Sequence, residues 1–283
     1  MLAVKNILFS NFTRTLTAEG EILIMKFFIR NKDSKQKKYL IILLLTGTIL
    51  AGCASVPPIY QAAANGDIVE VENLLNQGVN VNMRLFPGDN STPIHWASSR
   101  GKDEVIKLLI ARGADINASD KEGATVLMVA WMTKNPTTIN LLLKHGADVN
   151  IKDKEGWSIL RHAVGEGNGE LVKTLITYGA DINSKARDGS SVLIYAAGTE
   201  ANIKIVNTLI AHGADVNTED DDGWSPLMYA AGSGNIEIVK TLIDNGADVN
   251  AKTKDGIPVL AAGKSSGNED IVKILREAGA KNE

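Results

Sequence analysis

Apolar residues in this chain follow two periods at once, one of a helical turn and one of about thirty residues. The short period is clearest in residues 218–250, TEDDDGWSPLMYAAGSGNIEIVKTLIDNGADVN, where Ile236, Ile238, Val239, Leu242 and Ile243 fall on one face of a helix. A shorter helix is predicted just before it. Ser225-Pro226 opens that helix, because a proline in the first turn lacks only an N–H that would have no partner there, and Gly232-Ser233-Gly234 ends it. Asp222-Gly223 supplies a tight turn ahead of the pair, and Gly246 stops the second helix in the left-handed conformation that glycine tolerates. Neither helix can bury its apolar side alone, and the small side chains of Ala230 and Ala231 let neighbouring helices approach closely. Such a unit must stack.

The long period supplies the neighbours. GVNVN at 78–82 returns as GADIN at 113–117, GADVN at 146–150, GADIN at 179–183 and GADVN at 213–217 and 246–250, and Gly279-Ala280 closes the series. The glycines stand 35, 33, 33, 34, 33 and 33 residues apart, which is the signature of a repeat array. The phrase Thr92-Pro93-Ile94-His95-Trp96-Ala97, with its degraded copy Ser225-Pro226-Leu227-Met228-Tyr229-Ala230, resembles the ankyrin repeat. The resemblance covers residues 59–283 and implies an all-α fold: an ankyrin-repeat solenoid of about seven helix-turn-helix units joined by β-hairpin-like turns. The units span 59–82, 83–117, 118–150, 151–183, 184–217, 218–250 and 251–283. Atypical polar residues at the ends, Gln61 and Asn65 at one and Arg276, Glu277, Lys281 and Glu283 at the other, suit capping units that face water. The interval of 35 puts two extra residues in the turn 83–91, and that of 34 puts one near Thr199-Glu200-Ala201. The third unit is the least regular. Trp131 stands there where a small alanine is usual, and Lys134-Asn135-Pro136 replaces the glycine that normally ends the first helix, so a local distortion is expected.

The segment before the array reads differently. Tyr39 to Leu50, YLIILLLTGTIL, is an apolar run of 12 residues, short of the roughly 20 that a membrane-spanning helix needs. Arg30, Lys32, Lys35, Lys37 and Lys38 precede it, the positive flank of a secretory signal. Leu50-Ala51-Gly52-Cys53 follows it and resembles the lipobox of bacterial lipoproteins, in which the cysteine becomes the lipid-bearing first residue. The alternative is an ordinary thiol beside an uncleaved signal anchor. The lipobox reading makes 25–52 the signal peptide, 53–58 a short tether and residues 1–24 an over-extended start ahead of Met25. It places the protein in a bacterial cell envelope, held to the membrane through lipid on Cys53. Because no aspartate follows Cys53, the resemblance favours the outer membrane, facing the periplasm, in a Gram-negative host.

Composition narrows the chemistry. Hydrophobic residues make up 44% and charged residues 22%, the balance of a folded protein. A formal net charge of −3 gives no global attraction to nucleic acid, and none is expected as a partner. The single cysteine excludes an internal disulfide and any multi-thiolate metal cluster. His95 occupies the histidine position of the ankyrin phrase, where the side chain hydrogen-bonds the turn; His145 and His212 sit at equivalent helix ends two units apart, too far to share a metal. The periodic Asp115, Asp148, Asp181, Asp215 and Asp248, each two residues before an asparagine, suit turns pinned by side-chain to backbone hydrogen bonds. Asp220-Asp221-Asp222 is a charged turn tip, solvated or facing a basic partner. No nucleophile elbow, phosphate loop, HExxH or paired cysteine is present, so neither catalysis nor a cofactor is expected.

One position per unit remains. In ankyrin arrays the residue after the histidine position faces the concave surface, and here it reads Gln61, Trp96, Val129, His162, Tyr195, Tyr229 and Ala262. Rings are concentrated there although aromatic residues are only 5% of the chain, and rings are enriched at binding hot spots. Trp157 and Trp224, each after a turn glycine, extend the set. The rings either pack between neighbouring first helices or offer themselves to a partner. The expected function is that of a monomeric, non-catalytic protein–protein interaction module. Alternatives are an immunity or protective inhibitor of a toxin or envelope enzyme and, in another class, a small-ligand or enzymatic protein.

Overall fold

The computed structural model describes residues 56–199 and 203–281. The signal segment, Cys53 and most of the Thr199-Glu200-Ala201 insertion lie outside these residues. Within them the chain forms fourteen helices in seven antiparallel pairs: α1 Pro58–Asn65 and α2 Ile68–Asn76; α3 Pro93–Ser99 and α4 Asp103–Ala111; α5 Val126–Met132 and α6 Pro136–Lys144; α7 Ile159–Gly165 and α8 Gly169–Thr177; α9 Val192–Gly198 and α10 Ile203–Ala211; α11 Pro226–Ser233 and α12 Ile236–Asp244; α13 Val259–Ser265 and α14 Glu269–Glu277. The solenoid expected from the sequence is thus the fold. The first helix opens at Pro58, one residue earlier than the repeat boundary read from the sequence. No helix among the described residues is long and apolar enough to cross a membrane.

The core is a column of apolar side chains repeated from pair to pair. Val105, Ile106 and Leu109 of α4 are buried, as are Val172 and Leu175 of α8, Val206 and Leu209 of α10, and Val239 and Leu242 of α12. On the first helices Ala97, Ala130, Ala163, Ala196 and Ala230 are fully buried, because a methyl is all that fits between consecutive helices at this position. Three first helices start from an extended residue whose hydroxyl closes the opening turn: Thr125 accepts from Met128 N–H, Ser191 from Ile194 and Ser225 from Met228. The second helices are capped by Asp67, Asn135, Asn168, Asn235 and Asn268 in the same way.

His95 closes its turn by a different route. Its Nδ1 accepts from Thr92 N–H at 3.2 Å and lies 2.8 Å from Thr92 Oγ1, while Nε2 faces the Ala124 carbonyl of the next unit at 3.4 Å. Nδ1 is therefore the acceptor and Nε2 the donor. Burial lowers its pKa from 6.5 to about 4, the Ala124 carbonyl opposing the shift. In the first unit Tyr60 holds the corresponding place, with its hydroxyl donating to Met83 O at 2.6 Å.

Between pairs the chain makes a finger-like turn. Isolated antiparallel bridges join Ser119 to Thr125, Lys152 to Ser158, Lys185 to Ser191 and Lys252 to Pro258, which gives the turns their hairpin character. Neighbouring fingers bond through backbone, Lys154 N–H to Glu122 O at 3.1 Å and Lys254 N–H to Asp222 O at 3.0 Å. Gly123 and Gly223 are required at these contacts. Their φ values are +80° and +82°, and a Cβ would lie 2.9 and 2.8 Å from the backbone nitrogens of Lys154 and Lys254.

The periodic aspartates pin the opposite turns. Asp148 Oδ1 accepts from Asn150 N–H at 2.8 Å, and Asp181, Asp215 and Asp248 repeat the bond with Asn183, Asn217 and Asn250. Each asparagine then reaches the next unit: Asn150 Oδ1 accepts from Asp181 N–H at 2.8 Å, and its amide donates to Gly179 O at 3.1 Å.

The third unit keeps its helices, but not their spacing. Lys134 takes a left-handed φ of 54° where other units place Gly101, Gly167 or Gly234, so the turn survives without glycine. Trp131, 8% exposed, fills the place taken by Ser98, Ala197 and Ala231 elsewhere, and α5 and α7 pack less closely than other consecutive first helices.

Two outcomes follow. Lys134→Gly relieves a left-handed backbone worth about 1–2 kcal/mol in an L-residue, less the added freedom of the unfolded chain. A net stabilisation of about 1 kcal/mol is expected, read as a higher urea midpoint at unchanged slope. For His95 the native pKa lies below the unfolded one, so its stabilisation is complete above pH 6.5 and is lost as pH falls toward 4. The loss is about 3 kcal/mol. Urea titrations across that window should show a steeper fall for the wild type than for His95→Gln.

Candidate protein-binding face

The residues after the histidine position fall one on each first helix, and the structure shows how they are held. Trp96 is half-buried, its Nε1 donates to Ser91 Oγ at 2.9 Å, and its ring meets Tyr60 edge-on at 5.6 Å. Val129 is half-buried and makes no ring contact. His162 is only 7% exposed; Nε2 meets Asp153 Oδ2 at 2.8 Å, and the ring stacks on Trp131 with centroids 4.7 Å apart. Trp157 lies 5.4 Å from His162 and 6.3 Å from Tyr195. Tyr229 and Trp224 form a separate pair 5.5 Å apart in the sixth unit, and Tyr229 Oη donates to Asp220 Oδ2 at 2.7 Å. At the ends of the column Gln61 is exposed and Ala262 is buried.

Trp131, His162, Trp157 and Tyr195 therefore form one continuous band across the third to fifth units. His162 belongs to that band as a buried spacer rather than an open ring. Trp131 lay outside the column read from the sequence; the signal for it was its replacement of a small core residue. Two glycines make room for the tyrosines. A Cβ on Gly165 would come 2.9 Å from Tyr195 Oη, and one on Gly198 would come 3.0 Å from the Tyr229 ring. Each tyrosine thus lies over the end of the preceding first helix with part of its ring still open.

The turn carboxylates fix these rings. Asp153 Oδ1 accepts from the N–H groups of Glu155 and Trp157 at 3.0 and 2.9 Å, leaving Oδ2 for His162. Burial pushes the Asp153 carboxyl up, but bonds from His162 and the turn N–H groups outweigh it and hold the pKa below the usual value. Asp220 repeats the arrangement, with Oδ1 on Asp222 and Trp224 N–H and Oδ2 on Tyr229. Asp120 holds Glu122 and Ala124 N–H through Oδ1, but Val129 offers nothing to its second oxygen, and burial raises its pKa. The Asp220-Asp221-Asp222 tip is thus partly structural at its first residue.

Arg161 occupies the histidine position of the fourth unit, and nothing in its local sequence singles it out. Its guanidinium carbon sits 4.6 Å from the Trp157 ring centre and 4.3 Å from that of Tyr195. At the far edge of α5, Trp131, Ile139 and Leu171 floor a groove of about 610 Å³ with Lys134 and Glu166 at its rim. Trp131 Nε1 donates to Glu166 at 2.9 Å across it. His145 and His212 are exposed at helix ends, the latter with Nδ1 bonded to Thr208 O. No group of three or more metal-ligating side chains occurs among the described residues.

A stack of helix pairs with an open ring band is the architecture of a repeat-solenoid interaction protein. The family described as "Ankyrin repeats (3 copies)" matches in overlapping windows that include 59–153, 105–186, 160–253 and 193–283, and the chain belongs to that family. Arrays of this family are protein–protein interaction modules, typically without catalysis. Its helices superpose on the ankyrin repeat domain of Bcl-3, a member of the IκB protein family, with a TM-score of 0.70 at 28% identity, covering 78% of this chain and 99% of that one. An ankyrin repeat domain from Acinetobacter baumannii gives 0.61 at 36% identity, covering 67% and 98%. Among curated relatives, the E3 ubiquitin-protein ligase XBAT32 of Arabidopsis thaliana is 32% identical over 88 residues, 31% of this chain and 17% of that protein. The chain thus spans less than a fifth of that relative's length.

Removing the Asp153 carboxylate tests how the band is held. Asp153→Ala deletes two turn bonds and the His162 bond together, and a loss of about 3 kcal/mol is expected at about 1 kcal/mol per bond. Chemical denaturation followed by tryptophan emission measures it.

Proposed function

We propose that the chain is a lipid-tethered ankyrin array of the bacterial cell envelope that binds a protein partner through the concave face of its first helices. The observation that carries the reading is the ring band. Trp96, Val129, His162, Tyr195 and Tyr229, with Trp157 and Trp224 beside them, supply large, rigid, amphipathic surface along several units. Hydrogen bonds to Ser91, Asp153 and Asp220 fix Trp96, His162 and Tyr229 before any partner arrives, so little rotamer entropy is lost on binding. Trp96, Tyr195 and Tyr229 supply the contact area directly, whereas His162 acts by setting the positions of Trp131 and Trp157.

The anchor is proposed from the sequence at 39–53. Cys53 carries the lipid, and residues 54–57 between it and α1 span at most about 14 Å when extended. The first unit is then held against the bilayer, and the turn tips and ring face are presented along the periplasmic surface.

Two measurements test this reading. Crosslinking in the native envelope should capture a partner with wild type and lose it with Trp96→Ala, Tyr195→Ala and Tyr229→Ala combined, at unchanged circular dichroism; equal capture rules out the face. Fractionation should find the wild type with membranes and Cys53→Ser released, and a wild type that is mostly soluble and unlipidated refutes the anchor.

A further inference from the structure

Arg161 is a buried cation that the fold leaves incompletely paired. It is 7% exposed, and its Nε is buried with no hydrogen-bond partner. Its only hydrogen bond among the described residues runs from one terminal nitrogen to Ser190 Oγ, 2.9 Å away. None of the ion pairs formed by the described residues includes it. The nearest carboxylates act without touching it: Asp188 is reached through Ser190, whose hydroxyl accepts from Arg161 and donates to Asp188, and Asp153 is held by His162 and its own turn. Asp188 and Asp153 balance the charge from a distance, and the groups in direct contact with the guanidinium are the ring faces of Trp157 and Tyr195.

That arrangement is poor economy for stability. A guanidinium cannot shed its proton, and taking one from water without a directly bonded carboxylate is costly even with charges nearby. In the other described units the same slot holds Tyr60, His95, Met128, Ile194, Met228 and Ala261, so the fold does not need a charge there. The second terminal nitrogen makes no hydrogen bond among the described residues and, unlike Nε, is not fully buried, so it is the edge of the guanidinium left to a ligand.

Resting on the concave-face reading above, we propose that Arg161 is the charge anchor of this face: a glutamate or aspartate carboxylate of the protein partner docks on its open edge, flanked by Trp157 and Tyr195. The rings hold the guanidinium flat and exclude water, which strengthens a charge-assisted bond made there. Partner specificity then follows from one planar cation at the middle of the array. A segment lacking an acidic residue at that register leaves the cation desolvated and unpaired, and is rejected.

The probe is a blocked hexapeptide of alternating glycine and glutamate, with its glutamine counterpart as control, titrated into the full chain at low ionic strength. The readout is the Arg161 Nε–H resonance together with tryptophan emission. A saturable shift is expected with the glutamate peptide, with affinity at least about tenfold weaker, or 1.4 kcal/mol, for the glutamine peptide. Arg161→Met should abolish binding while leaving the melting temperature unchanged or raised, since an incompletely paired buried cation has been replaced by an apolar side chain of similar length. Arg161→Lys, which keeps charge but not the planar edge, should bind weakly. Equal affinity for the two peptides, binding retained by Arg161→Met, or no response of Arg161 at millimolar glutamate peptide each overturns the anchor. A partner crosslinked equally by wild type and Arg161→Met but lost with the triple alanine variant overturns the anchor alone, whereas one lost with neither overturns the concave face as well.

Discussion

The pitch of the array rests on one small residue, the asparagine that ends each repeat phrase. Asn82, Asn150, Asn183 and Asn217 each accept from an aspartate N–H of the following unit and donate to the carbonyl of its glycine. Two bonds from one planar amide fix both distance and rotation between units. They lie in exposed positions, so each contributes modestly to stability. Their larger effect is on register. With the turn locked at this end, the second helices stack in register, and the columns of Val, Leu and Ile close over one another everywhere but between the third and fourth units, where the groove lies. Insertions are displaced to the other connections, which is where 83–91 and the region near Thr199 fall.

The same rule explains what could be read from the chain. Helix pairs and the pinning role of Asp148, Asp181, Asp215 and Asp248 were legible, because each depends on residues within a few positions or on exact repetition. The placement of His95 was legible too, its bonds to Thr92 being local. The band itself was half legible. A column of rings can be listed from the sequence, but whether a ring is open or packed depends on the preceding unit, thirty or more residues away. His162 is buried because Trp131 covers it, and Tyr195 lies flat because Gly165 has no side chain. Arg161 was invisible for the same reason: its setting is made by Trp157, Ser190 and Tyr195, from two units, and its own position in the repeat phrase is normally structural.

Turn and ring are coupled through carboxylates with two jobs. One oxygen of Asp153 or Asp220 closes the finger, and the other holds His162 or Tyr229 on the first helix. The finger and the helix face therefore move together. Asp120 shows the arrangement with its second half missing, since Val129 has no donor. The fifth unit has Ala186 at this place, and Tyr195 is steadied by Arg161 instead. The array thus uses two chemical solutions, a carboxylate and a guanidinium, for orienting one column.

Trp131 has a mechanical consequence. In a linear stack each unit is stabilised only by its two neighbours, so the chain is as cooperative as its weakest junction. By standing where Ser98 or Ala197 stand elsewhere, the indole spreads α5 from α7 and replaces close helix contact with a groove bridged by Glu166. The junction between the third and fourth units, where the first helices touch least, is therefore the place at which the stack is expected to part first, and the ring band crosses it.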